Sequence, residues 1–179
     1  HGLLARTEDG REYFAYGGQF GDAPHDANFV ADGMVSPEGV PHPAMWEHLW
    51  LSRPVRVGAT ASTLAKKGRV RVTSHLTEVD TSWLAAEWEV AVDGVRVEAG
   101  PLEVPVLGPG ESAEVVVPFD RDRRIPDGSE AHLLVRWRTS ARLPWAPKGH
   151  VVGWDQLPLR LATDASVGTP SPRPGARWA

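Results

Sequence analysis

The sequence predicts a mainly β protein, an immunoglobulin-like β-sandwich preceded by a segment of loop and helix. Three observations predict it. From Val55 onward, apolar residues recur at every second position in short runs, the period of a strand buried on one face. Turn signals such as Asp93-Gly94 and Gly108-Pro109-Gly110 separate those runs at even spacing, giving about seven or eight strands, the number a sandwich needs. Before Pro54 the period of two is absent, and glycines crowd the chain instead.

Taken in order, residues 1–53 read as irregular and Gly-rich. Asp9-Gly10 marks a turn. Gly17-Gly18 and Gly21 leave little room for regular structure before Asp26, and a loop of that length is usually functional or disordered. Its Phe, Tyr, Asn and Asp residues argue for order. Helix signals follow Pro41-His42-Pro43. Pro43 suits a first helical turn, Met45 with Leu49 and Trp46 with Trp50 make an apolar stripe at i, i+4 spacing, and Arg53-Pro54 ends the helix.

Beyond it, Val70 and Val72 alternate with Arg69 and Arg71. Leu84, Ala86, Trp88, Val90 and Val92 form one face, with Trp83, Glu87 and Glu89 opposite, and Asp93-Gly94 turns the chain into Val95 and Val97. Leu102, Val104 and Val106 alternate before Gly108; residues 115–119, the run Leu133, Val135 and Trp137, and residues 151–161 complete the set. Leu84, Trp88, Val90, Val92, Leu133, Val135 and Trp137 are expected to face inward. The implied organisation is a first part over residues 1–53, a sandwich over 54–165, and a disordered tail over 166–179, rich in Pro, Ser and Gly.

Composition narrows the function classes. The chain has 179 residues, 41% hydrophobic and 23% charged, enough for a real core. A net charge of −4 argues against nucleic acid, which selects a basic face. No cysteine is present, so disulfides, thiolate metal sites and a Cys nucleophile are excluded, and a cytoplasmic location is expected. No apolar run is long enough to span a membrane, and His1-Gly2-Leu3-Leu4 is no signal peptide. The lack of an initiating Met suggests that the true start is missing or processed. Eight Trp stand against two Tyr and four Phe. Indole faces stack on sugars, but they also fill cores, and for any single Trp the core is the commoner role.

No catalytic motif is evident. Gly-x-Ser-x-Gly, the P-loop, the dinucleotide fingerprint and His-Glu-x-x-His are all absent. A retaining glycosidase needs two carboxylates about 5 Å apart on a rigid frame. Of Asp22, Asp26, Asp32 and Glu47, three lie on a loop and one on an amphipathic helix, where solvated or capping roles are commoner. Asp22-x-x-His25-Asp26 has loose metal-ligand spacing; the same aspartates can instead fold the loop by bonding backbone N–H groups.

The run Tyr16-Gly17-Gly18-Gln19-Phe20-Gly21-Asp22-Ala23-Pro24-His25-Asp26-Ala27-Asn28-Phe29-Val30-Ala31-Asp32-Gly33, followed by Pro41-His42-Pro43-Ala44-Met45-Trp46, resembles the last active-site loop and final helix of the barrel in large bacterial β-galactosidases of the family two glycoside hydrolases. Val72-Thr73-Ser74, Ala91-Val92-Asp93-Gly94 and Trp145-Ala146-Pro147-Lys148-Gly149-His150 resemble the β-sandwich that follows that barrel. The resemblance implies that residues 1–53 are the C-terminal end of a (β/α)8 barrel. It also implies a parent enzyme hydrolysing terminal non-reducing β-D-galactose residues with retention, using Mg²⁺ and Na⁺. The catalytic carboxylates would lie upstream of His1, leaving no catalytic residue here and an isolated chain without activity. By resemblance, Phe29 lines the galactose pocket and gives its carbonyl to Na⁺, and Asp32 gives that ion a side-chain oxygen. His25 falls in the outer shell of the magnesium site and joins Phe29 on the substrate side. The sequence departs from the family pattern at Gln19, where Asp is usual, and at His25 and Asp32, where the best-known members have Asn. The implied partners are a β-galactoside and the remaining domains of the parent, with oligomers open and no nucleic acid or membrane. The other readings are a non-catalytic carbohydrate-binding or structural β-sandwich protein and, third, a degenerate fragment from a truncated or frameshifted gene.

Overall fold

Two units divide the chain, residues 1–52 and the part that begins at Arg53. The structure, a computed structural model, describes residues 2–27, 29–126 and 128–160. The tail expected to be disordered over 166–179 lies outside the described residues.

In the first unit, strands β1 (Leu3–Arg6) and β2 (Glu12–Ala15) pair antiparallel, Leu3 opposite Ala15. Gly10 adopts φ 86° in the turn between them, and Arg11 Nε donates to Asp9 Oδ2 at 2.8 Å. This corrects the reading of residues 1–53 as irregular. Four-residue strands with largely exposed side chains show no alternation, so only the turn was visible. A 3-10 turn spans Gly17–Phe20. Helix α1 (Pro43–Leu51) begins with proline at its first position and closes with Ser52 N–H donating to His48 O at 2.9 Å. Of its expected apolar stripe, Trp46 at 55% and Trp50 at 38% are exposed, while Met45 and Leu49 are half-buried. Ala15 is the one buried hydrophobic residue of this unit among the described residues.

The second unit holds β3 (Val55–Gly58), α2 (Ala61–Lys67), β4 (Arg69–Ser74), β5 (Leu84–Val92), β6 (Val95–Leu102), β7 (Ser112–Val116), β8 (Ala131–Thr139) and β9 (Val151–Arg160). One antiparallel sheet has the order β3-β4-β7, the other β6-β5-β8-β9. Counted from β3, the first, second and fifth strands form one sheet and the third, fourth, sixth and seventh the other. That is an immunoglobulin-like division. Val55, Val57, Val70, Val72 and Val115 of the first sheet share one core with Trp88, Val90, Leu133, Val135 and Trp137 of the second. Trp88 settles its indole N–H on Pro101 O at 3.0 Å. The β5–β6 hairpin turns on Asp93 and Gly94, at φ 48° and 78°, the left-handed pair that a two-residue loop requires.

Four expectations are corrected. Helix α2 was not foreseen; Thr60 Oγ1 accepts from Thr63 N–H at 3.1 Å, Gly68 closes the helix at φ 62°, and Leu64 anchors it fully buried in the core. Trp83 packs against the core rather than on the face opposite it. The apolar run at 102–106 is no separate strand: Leu102 ends β6, and Leu107 is buried while Val106 is 59% exposed. Pro105 in that run has no N–H to give a ladder. Finally, β7 ends at Val116, although Val117 and Phe119 beyond it are buried as the alternation implied.

The loops β4–β5, β6–β7 and β8–β9 gather at one end of the sandwich, where β3 also begins. Leu107 N–H donates to Thr81 Oγ1 at 2.9 Å and Ser140 N–H to Trp83 O at 2.9 Å, which ties the three loops together. Among the described residues no helix is long and apolar enough to cross a membrane.

Candidate functional site

The loop from Tyr16 to His42 owes its shape to its glycines and to two histidines. The His25 ring lies against the backbone of Gly17-Gly18. A Cβ on Gly18 would fall 2.7 Å from His25 Cε1 and Nε2, and one on Gly17 would fall 3.0 Å from His25 Cβ. Glycine is therefore what lets the ring sit there. Ala27 N–H donates to His25 Nδ1 at 3.1 Å, which places the ring proton of the neutral imidazole on Nε2. Gly18, Gln19, His25 and Ala27 line a shallow depression. Gln19 accepts the Tyr16 N–H on Oε1 at 3.0 Å and so braces the 3-10 turn.

Phe29 is half exposed and meets the Tyr16 ring edge-on, centroids 6.3 Å apart at 75°. Ala31 adopts φ 60°, a conformation rare for a residue with a Cβ, and turns the chain between Phe29 and Asp32. Asp32 is exposed. The far side of the loop is fastened to the start of α1. His42 donates from Nδ1 to Gly33 O at 2.7 Å and from its backbone to Met34 O at 2.9 Å, and Ser36 N–H donates to Val40 O at 2.8 Å.

Tyr16 and Phe29 are thus brought together, and His25 is placed on the glycines that follow Tyr16. Asp22, Asp26 and Glu47 are exposed. Among the described residues no group of three or more His, Cys, Asp or Glu side chains is arranged to hold a metal ion, so Asp22, His25 and Asp26 do not form a three-ligand cluster.

Charged features of the sandwich escaped the sequence. Arg53 and Asp155 form a buried pair, Nε to Oδ1 3.1 Å and Nη2 to Oδ1 2.8 Å, and Val57 N–H donates to Oδ2 at 2.7 Å. On the outer face of the four-stranded sheet, Arg136 pairs with Glu89 and Arg138 with Glu87, each at 2.7 Å. Register places Arg136 opposite Glu87, a pair that is also present at 3.9 Å, but the two shorter pairs run on the diagonal.

Comparison with known proteins identifies the chain. The family model described as "Beta-galactosidase, domain 4" matches residues 70–160, from β4 through β9. A β-galactosidase of Arthrobacter sp. (strain B7) is 33% identical over 179 aligned residues, 93% of this chain and 17% of that protein. Beta-galactosidase 2 of Enterobacter cloacae is 30% identical over 94% of this chain and 16% of its own length. A β-galactosidase of Aeromonas hydrophila is 31% identical over 88% and 15%. The chain spans about one sixth of the length of these relatives. The similarity runs through both units, and the chain belongs to the β-galactosidase family, with its segment from β4 to β9 matching that family's domain 4.

Proposed function

We propose that this chain is part of a cytoplasmic β-galactosidase that hydrolyses terminal non-reducing β-D-galactose residues with retention, and that it supplies one corner of the active site but no catalytic carboxylate. Residues 1–53 are read as the end of the catalytic barrel and the sandwich as its support. The observation that carries this reading is the state of the first unit. Phe20, Phe29, Trp46 and Trp50 are all exposed, and Ala15 is its one buried hydrophobic residue among the described residues. Apolar side chains on so small a frame need a larger surface to cover them.

In that setting the Phe29 ring lies against the sugar, and the Phe29 carbonyl and Asp32 carboxylate give oxygens to Na⁺. Oxygen ligands suit a hard cation, and the turn at Ala31 lets neighbouring residues serve one ion. The described residues do not gather three side-chain ligands, so this chain completes a coordination shell rather than building one. His25, with Nδ1 engaged by Ala27, keeps a donor at Nε2. That suits hydrogen bonding to a water of the Mg²⁺ outer shell, not ligation.

The test uses a chromogenic β-galactoside. The isolated chain should show no turnover. In the intact enzyme, Asp32→Ala should raise KM and move its Na⁺ dependence to higher salt. Phe29→Ala should raise KM with little change in Na⁺ response, because the backbone carbonyl remains. Wild-type KM and Na⁺ response in Asp32→Ala would overturn the cation assignment. Turnover by the isolated chain, abolished by a substitution within it, would overturn the reading as a whole.

A further inference from the structure

One side chain ties the turn that carries Asp32 to helix α1. His42 is the N-cap of α1, at φ −76° and ψ 162°, yet its side chain makes no capping hydrogen bond. Ser, Thr, Asn or Asp is the usual choice there, because a short side chain bearing oxygen accepts from the first helical N–H groups. The half-buried imidazole instead reaches back across the loop, Nδ1 to Gly33 O at 2.7 Å. A carbonyl oxygen can only accept, so Nδ1 carries a proton. The same residue gives its backbone N–H to Met34 O at 2.9 Å. Two donors of His42 thus hold the two carbonyls that follow Asp32 in the chain. His42 is itself constrained. It precedes Pro43, which confines it to extended backbone. Pro41 before it forms an isolated bridge with Val35. Between those two residues the chain turns on Ser36 N–H to Val40 O at 2.8 Å, Gly39 N–H to Ser36 O at 2.9 Å and Val40 N–H to Ser36 Oγ at 3.1 Å. Residues 33–42 therefore form a closed loop whose ends meet at the bond between His42 and Gly33.

From this geometry we infer that His42 is a positioning residue for the Asp32 carboxylate. The inference rests on the function proposed above, in which Asp32 gives an oxygen to Na⁺. Asp32 is exposed and sits between a left-handed residue and the closed loop: Ala31 before it has φ 60°, and Gly33 after it takes the His42 bond. A left-handed residue that bears a Cβ persists where its surroundings over-determine it. His42 fixes the downstream side of that turn against a helix. It acts through the Gly33 carbonyl rather than by contact with ion or sugar. Without the Nδ1 bond the turn samples more orientations, and the carboxylate loses entropy when it closes on the ion.

The test compares three replacements of His42 in the intact β-galactosidase. Asn carries its amide nitrogen on Cγ, as His carries Nδ1, so it can donate from the same place; Gln sets that nitrogen one atom further out, and Ala has none. Na⁺ affinity is measured without substrate, by ²³Na magnetic resonance, and KM for the chromogenic galactoside is measured across a series of Na⁺ concentrations. His42→Ala and His42→Gln should each weaken Na⁺ binding about fivefold, the scale of one hydrogen bond. They should raise KM at low Na⁺, with KM recovering at saturating Na⁺ and kcat unchanged. His42→Asn should stay within about twofold of wild type in both measurements. Asp32→Ala combined with His42→Ala should bind Na⁺ no more weakly than Asp32→Ala alone, because His42 acts through Asp32. Wild-type Na⁺ affinity in His42→Ala, equal losses for Asn and Ala, or additive losses in the double variant each overturn the inference. Turnover is scored separately. Weakened Na⁺ binding in a parent protein that does not turn over the galactoside leaves the inference and removes the enzyme reading. Full turnover with Na⁺ binding unmoved does the reverse.

Discussion

Asp155 and Arg53 are the two buried charged residues of the sandwich among the described residues. Asp155 accepts from Arg53 and from the Val57 backbone while only 6% exposed, so it joins β9 to the strand that opens the domain. Gly153 belongs to the same arrangement, because a Cβ there would fall 2.5 Å from Arg53 Cβ. Asp155→Ala would leave a buried guanidinium without its carboxylate and the Val57 N–H without its acceptor. It should destabilise the chain by about 3–5 kcal/mol, measured as a lowered midpoint in urea. The sequence held no sign of this pair, since its members lie 102 residues apart and each, read locally, is an ordinary surface charge. Asp93 is the opposite case, legible as a turn residue from Asp93-Gly94 alone. The Glu130 backbone N–H, donating to its Oδ1 at 2.9 Å, and then Ser129 hold its carboxyl below the ordinary aspartate value. A folded-state value below the unfolded one contributes stability that is present above about pH 4 and is lost as pH falls through the depressed value. Asp93→Asn should therefore flatten the stability profile below about pH 4 and leave the slope between pH 6 and 8 unchanged. Thermal melts across that range check it.

At the level of elements, strands with one buried face were legible and short or exposed elements were not. In β5 the alternation is the fold: Trp88 is 4% and Val90 2% exposed, while Glu87 and Glu89 point to the outer face. Trp88→Ala should cost about 3–5 kcal/mol in a denaturant titration. Glu87, whose side chain is 40% exposed and paired with Arg138 at 2.7 Å, should cost at most about 1 kcal/mol on replacement by Ala. Comparable losses would mean that the two faces are wrongly assigned. Helix α2 shows where periodicity stops informing. Seven residues make two turns with one buried side chain, Leu64, too little for a pattern, although Thr60 and Gly68 stood at its ends as cap signals. In the candidate site, the sequence marked the loop and its glycines through a local motif. The Tyr16–Phe29 ring contact and the His25 ring on Gly17-Gly18 depend on how the loop closes, which no spacing encodes.

The whole molecule joins two parts with unequal means of stabilising themselves. The sandwich buries Val55, Val72, Trp88, Leu133, Val135 and Trp137 in one core. The first unit, by contrast, leaves Leu3, Leu4, Phe20, Phe29, Trp46 and Trp50 exposed, with Ala15 buried. Ordering a residue costs about 1–2 kcal/mol of backbone entropy, and burial of apolar surface is the main term that offsets it. The sandwich has that term and the first unit largely lacks it. Hydrogen exchange on the isolated chain should accordingly separate the two. Amides of β5 and β8, which exchange only through opening of the core, should be the slowest. Amides of β1, β2 and the loop through Val40 should exchange much faster, because their hydrogen bonds open without breaking the sandwich. In the intact β-galactosidase the same loop should become protected, since the proposed function gives it a barrel to pack on. Fast exchange in both proteins would remove that packing and leave the loop an appendage. Slow exchange in the isolated chain would mean that the first unit orders itself without a core, contrary to the entropy argument.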